Sequence, residues 1–221
     1  MTPTSPSDAM TSTRATAFIA TLGVAAVAWV IAVQQMDGMD MGVATDLGSF
    51  AFFIAVWIAM MAAMMLPAAV PAVSSFARAT GRALAAPVFA GLYLAVWTLF
   101  GIVVYALYQP HGAAVAGALT IAAGIYELTP LKRACRRRCL SSVGSGFEFG
   151  AYCVGSSIGL MVMLVALGAM SVTWMVAIAA LVLAQKLLPP KTFLDVPVAV
   201  AIVTLGLLVA ITPTSVPGLV V

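Results

Sequence analysis

The chain has 221 residues, 63% of them hydrophobic and only 8% charged, with a formal net charge of +3. Soluble domains carry about a quarter charged residues, so this composition excludes a water-soluble globular domain. It points instead to an all-α, polytopic transmembrane helical bundle whose principal partner is the lipid bilayer, with no nucleic-acid partner expected.

Residues 1–15 are rich in Ser, Thr and Pro, with Asp8 and Arg14 the only charges, and read as a disordered N-terminal tail. The apolar run that follows ends in Gln34-Gln35-Met36-Asp37 rather than in a small-residue cleavage site. It is therefore kept as a helix and not as a signal peptide. In lipid every backbone group must be paired within its own segment or within a closed barrel. The runs here are continuous rather than alternating, which favours helices. Seven are placed at 16–35, 48–70, 87–109, 113–129, 150–169, 172–189 and 193–212, giving a transmembrane domain over 16–212 and a short C-terminal tail over 213–221. Pro67 and Pro71 are expected to end or kink the second helix, since proline lacks an N–H and clashes one turn back. Residues 72–86 then form a short interfacial helix carrying Arg78 and Arg82. Gly155 and Gly159 in the fifth helix make a small-xxx-small step that admits a close neighbour.

Basic residues set the orientation. Arg14, Arg78, Arg82, Lys132, Arg133, Arg136, Arg137, Arg138, Lys186 and Lys191 all fall on one side if the N-terminus is cytoplasmic. The opposite loops hold Asp37, Asp40, Asp46 and His111. The expected topology is seven spans with the N-terminus inside and the C-terminus outside. Glu127, Lys186 and Asp195 lie near cytoplasmic span ends, where side chains can reach the interface. The span centres thus carry no charge, unlike those of proton-coupled transporters.

Three features bear on chemistry. The outer loop holds Met36, Met39 and Met41 beside Asp37 and Asp40, a set that could capture Cu(I) through soft, uncharged sulfur, or that could be an ordinary polar turn. In the second helix Met60 and Met64, and Met61 and Met65, are four residues apart and form a thioether stripe, which would pass a soft metal or simply fill gaps between helices. Cys135 and Cys139 are one turn apart on the basic cytoplasmic loop, where neighbouring arginines favour the thiolate; the other reading is a topology-setting loop with incidental cysteines. Cys153 beside Tyr152 is a further thiol. With a single histidine and no phosphate-binding loop, no catalytic centre is expected and the chain is read as non-enzymatic.

The run Trp57-x-x-Met60-x-x-x-Met64-Met65-x-Pro67 resembles a bacterial family of uncharacterised proteins described as predicted metal-binding integral membrane proteins. So do Leu128-Thr129-Pro130-Leu131-Lys132-x-x-Cys135-x-x-x-Cys139, Gly150-x-Tyr152-Cys153-x-Gly155, Leu160-Met161 and Lys186-Leu187-x-Pro189, in order along the chain. The resemblance implies a multi-pass protein of the bacterial cytoplasmic (inner) membrane and carries metal binding over to Met60, Met64, Met65, Cys135, Cys139 and Cys153. Where the family has His, His and two adjacent Cys, this chain has Arg138, Phe149, Ser156 and Ser157. Two functions are therefore weighed. One is the handling of a soft metal, copper, received by thioethers outside and accepted by thiols inside. The other is an accessory subunit of a larger membrane complex, or a homo-oligomer, with a degenerate metal site.

Overall fold

A computed structural model describes residues 6–38, 46–82, 84–140, 144–188 and 192–216. These residues form eight α-helices: α1 (Pro6–Met36), α2 (Phe50–Thr80), α3 (Ala85–Leu107), α4 (Ala113–Glu127), α5 (Pro130–Leu140), α6 (Gly146–Gly168), α7 (Val172–Leu187) and α8 (Thr192–Ile211), followed by a 3-10 turn at Pro213–Ser215. Segments Phe18–Met36, Phe50–Thr80, Ala85–Leu107 and Gly146–Gly168 are long and apolar enough to cross a membrane. The pair α4 and α5 passes the same test together but is bent by 65° at its break, and α7 and α8 are shorter apolar helices.

The seven expected runs all become helices; α1 begins at Pro6 rather than at residue 16, so the tail expected to be disordered is helical from Pro6 onward, and two further boundaries differ for identifiable reasons. Helix α2 does not stop at 70 but continues through Pro67 and Pro71 to Thr80, so the expected separate interfacial helix is mostly its last turns. Prolines are tolerated inside such helices when neighbouring groups satisfy the freed backbone. The carbonyls that lose their N–H partner are those one turn before each proline, Ala63 O and Pro67 O, while the Ser74 hydroxyl adds a bond to Val70 O at 2.8 Å in the turn that follows. The helix ends where Gly81 adopts φ 64° and returns its N–H to Ala77 O, a left-handed cap that glycine takes at little cost. Helix α6 starts four residues earlier than expected because Ser145 caps it. The Ser145 hydroxyl accepts from Glu148 N at 3.2 Å, and Glu148 Oε2 accepts from Gly144 N. This is a variant of the reciprocal Ser-x-x-Glu cap.

The eighth helix is the segment read as a basic loop. Thr129 Oγ1 accepts from Lys132 N at 3.3 Å and Pro130 occupies the first helical position, where its missing N–H costs nothing. Helix α4 therefore ends and α5 starts at once in a new direction.

Helices α2 and α6 are the most buried of the spans. Helix α2 packs on α1, α3 and α7, while α6 packs on α3, α4, α5 and α7. Lipid is as apolar as leucine, so contact between helices rests on close packing and small residues rather than on hydrophobicity. The step Gly155/Gly159 behaves accordingly. A Cβ at Gly155 would lie 2.7 Å from Cys135 Sγ on α5, and one at Gly159 would lie 3.1 Å from Tyr126 on α4. Another close crossing joins α4 and α8, where a Cβ on Gly117 would meet Gly206 O at 2.6 Å and one on Gly206 would meet Ile121 at 2.7 Å.

Gly206→Val should destabilise the detergent-solubilised protein by about 1–3 kcal/mol through overpacking at backbone, lowering its melting temperature. Gly91→Ala, where a Cβ would meet nothing within 4 Å, should leave the melting temperature unchanged.

Candidate metal centre

Helix α5 turns a polar face inward. Lys132, Arg136 and Cys139 lie on one side of it and are buried, while Leu131, Arg137 and Arg138 point outward. Spacings of four and three residues place these groups one above another. Burying two cations requires partners, and α4, α7 and α8 provide them. Lys132 pairs with Glu127 and donates to Gln185 Oε1 at 3.0 Å, while Gln185 Nε2 donates to Glu127 Oε2 at 2.6 Å. Arg136 pairs with Asp195 at 2.8 Å, donates to Gln185 O, and reaches Leu188 O at 3.0 Å. Glu127 is 0% and Asp195 4% exposed. The expectation that these carboxylates reach out to the interface is therefore corrected: they turn inward, because α5 brings fixed cations to meet them. Half of the basic loop is likewise core rather than a solvated charge run.

The same face of α5 delivers Cys139 to α6. Cys139 and Cys153 are both buried, all three cysteines are free, and the two sulfurs share one hydrogen-bond partner. Lys186, in the last turn of α7, points its Nζ between them, 3.2 Å from Cys139 Sγ and 3.0 Å from Cys153 Sγ, and lies 3.4 Å from Ser156 Oγ. Its ammonium also lies 5.8 Å from the centre of the Phe149 ring. On the opposite side Tyr93 OH, on α3, sits 3.1 Å from Cys153 Sγ and 3.5 Å from Met65 O on α2. Four helices thus converge on two sulfurs, with α2 touching the group only through Tyr93. The cation beside the thiols is this lysine and not the neighbouring arginines, since Arg136 is held by Asp195 and Arg138 donates to the Tyr152 hydroxyl at 3.1 Å.

The other candidate ligands are distributed differently. Cys135 is half-buried and packs against Gly155, one turn from Cys139. Met60, Met64 and Met65 are buried in the core with Met61, Met161, Met163 and Met175, each 4% exposed or less. Met36 is buried at the end of α1. Met39 and Met41 lie outside the described residues. Among the described residues no group of three or more His, Cys, Asp and Glu could hold a metal ion. His111 is placed far along the chain from the thiols, with Nε2 3.1 Å from Ala166 O near the end of α6. It borders an open cavity of about 700 Å³ lined largely by apolar groups of α3, α4 and α6, among them Leu107, Leu119 and Val162.

Two buried thiols held side by side match the donor preference of Cu(I), which favours soft thiolate ligands. The pattern of a copper chaperone family, PpoB2, matches residues 54–209. The chain belongs to this family. No curated protein and no solved structure matches it. The matched stretch runs from α2 to α8 and so contains every helix that contributes to the thiol centre.

Sequence reasoning singled out both thiols but not their partners. Lys186 stands in a motif that carried the family resemblance, yet a basic residue at a span end also reads as a topology marker. Tyr93 had no signal beyond being an aromatic in an apolar run.

Removing one partner of a buried ion pair leaves an uncompensated charge and costs about 3–5 kcal/mol. Asp195→Ala should accordingly lower the melting temperature sharply and weaken metal binding with it, because Arg136 seats α5. Tyr152→Phe, which removes only the exposed contact to Arg138, should change neither.

Proposed function

We propose that this member of the copper chaperone family carries Cu(I) on Cys139 and Cys153, at the basic end of a bundle embedded in the bacterial cytoplasmic membrane. The observation that carries the reading is the convergence of both sulfurs, from different helices, on one point in the interior. Cys153 is seven residues into α6, about 10 Å from its start at 1.5 Å per residue, so the pair is shielded from bulk solvent but near the end of the bundle. Such depth suits a metal that must be protected from oxidation and adventitious thiols yet released again.

The topology that accompanies this function has seven spans, with the N-terminus and the thiol end in the cytoplasm. The basic residues favour it through the positive-inside bias. The thioethers then lie on the outer side of the thiols, from Met36 through Met60 and Met64 to Met65, whose carbonyl is linked through Tyr93 to Cys153. They form a weak-ligand route to the stronger thiol site, and no bond-making chemistry is required of the chain. A chaperone hands its metal on, so a membrane-complex partner that receives copper belongs to the same reading as the site itself.

A Cu(I) competition titration of the purified protein in detergent, under anaerobic conditions, tests this. The wild-type chain should bind one Cu(I), and Cys139→Ser or Cys153→Ser should each weaken binding by about a hundredfold or more, since hydroxyls are poor ligands for soft metals. The triple replacement of Met60, Met64 and Met65 by Leu should leave affinity within about threefold and slow copper entry into proteoliposomes. Serine variants that bind like wild type would sink the thiol site.

A further inference from the structure

We infer that Lys186 is the specificity-determining residue of this centre and that it restricts the site to monovalent soft cations. The inference rests on the thiol reading above, and its argument is one of charge in a medium that does not solvate charge.

Lys186 is a half-buried cation with an unusual set of partners. The two ion pairs among the described residues are Lys132–Glu127 and Arg136–Asp195, and neither includes it. Its Nζ is instead within hydrogen-bond distance of two sulfurs and one hydroxyl. Arg136 and Lys132, one and two turns before Cys139 on α5, are each matched by a carboxylate. The cation at Lys186 is therefore left for the thiols to balance. Sulfur is a weak hydrogen-bond acceptor when protonated, and a deprotonated thiolate is a full anion, so this placement makes sense only for a centre that becomes anionic.

Loading Cu(I) makes it so. Metal binding releases the thiol protons to water and leaves two thiolates, with charge −2, around one cation. With Cu(I) at +1 and the ammonium at +1, the loaded centre is neutral. A divalent ion on the same thiolates would leave a net +1 within the bundle, and an uncompensated charge there is costly. Without the lysine the preference reverses: two thiolates neutralise a divalent ion and leave the cuprous complex with charge −1. Ligand softness alone does not separate Cu(I) from soft or borderline divalent ions on a thiol pair, because thiolates also bind zinc strongly. The fixed positive charge supplies the missing discrimination.

Two further contacts fit a lysine that stays in place when metal enters. The Phe149 ring under the ammonium holds a cation without contributing a negative charge that would alter the balance. Ser156 Oγ, itself donating to Cys153 O at 2.9 Å, gives the ammonium a neutral acceptor. Phe149 and Ser156 are two of the positions at which the chain departs from the resembled family's His and Cys. With those ligands absent, a two-thiolate centre with one lysine is charge-balanced for a single monovalent ion.

The test compares Cu(I) and Zn(II) affinities, by competition with chelators in detergent, for wild type, Lys186→Leu, Lys186→Arg and the double variant Cys139→Ser/Cys153→Ser. Leucine keeps the volume and adds no ligand. The wild type should prefer Cu(I) strongly. Lys186→Leu should bind Cu(I) about tenfold or more weakly and Zn(II) more tightly, narrowing the preference by about a hundredfold or more, whereas Lys186→Arg should keep it within about tenfold. Unchanged affinities in Lys186→Leu, or a parallel fall for both metals, would overturn the charge-selection role while leaving the thiol site standing. Retained Cu(I) binding in the double serine variant would instead overturn the site itself. An unchanged melting temperature for Lys186→Leu against wild type would show that the shift in preference is not a loss of fold.

Discussion

The sideways seat of α5 depends on one cluster of buried charges. A helix of eleven residues rich in arginine has no reason to enter a bundle by its own apolarity. It enters because Glu127, at the end of α4, and Asp195, at the start of α8, wait for Lys132 and Arg136, with Gln185 of α7 bridging the two pairs. Isolated, each of these groups would be prohibitively expensive away from water. Together each cation meets a carboxylate, with Glu127 Oε1 and Arg136 Nε left without a partner, and that pairing fixes the orientation of α5. Cys139 then has one place to go.

The thiol pair follows from that seat. Cys153 lies in a helix whose neighbours are admitted by glycines, at Gly150 to α3, at Gly155 to α5 and at Gly159 to α4. A bulkier α6 would hold α5 away and separate the sulfurs. Packing and electrostatics therefore cooperate: small residues permit the approach and the ion pairs choose its direction. Tyr93 and Lys186 complete the surroundings from α3 and α7, so that none of the four helices α3, α5, α6 and α7 can shift without disturbing a contact to sulfur.

A copper chaperone that is itself a multi-helix bundle has a different problem from a small soluble carrier. For the site proposed here, surrounded by protein and lipid, net charge would matter as much as ligand type. The proposed role of Lys186 would answer that constraint with a fixed cation, while the polar cluster nearby pairs two cations with two carboxylates. The methionine-rich core, which is soft and neutral, is compatible with both packing and passage of the same cargo.

Composition and hydropathy determined the helical class and the position of every apolar helix, because lipid leaves a chain no other way to pair its backbone. They also exposed the thiols, since cysteines four apart among arginines are visible in any reading. Hidden from them were the continuation of α2 past two prolines and the helical state of the basic segment, whose inward face is charged rather than apolar. Local patterning treats charge as solvated, and here the partners of Lys132 and Arg136 come from up to 59 residues away. A comparable stretch of sequence, 47 residues, separates Cys139 from Lys186. Which thiols meet, and which cation meets them, is a property of how helices cross, and only the tertiary structure decides it.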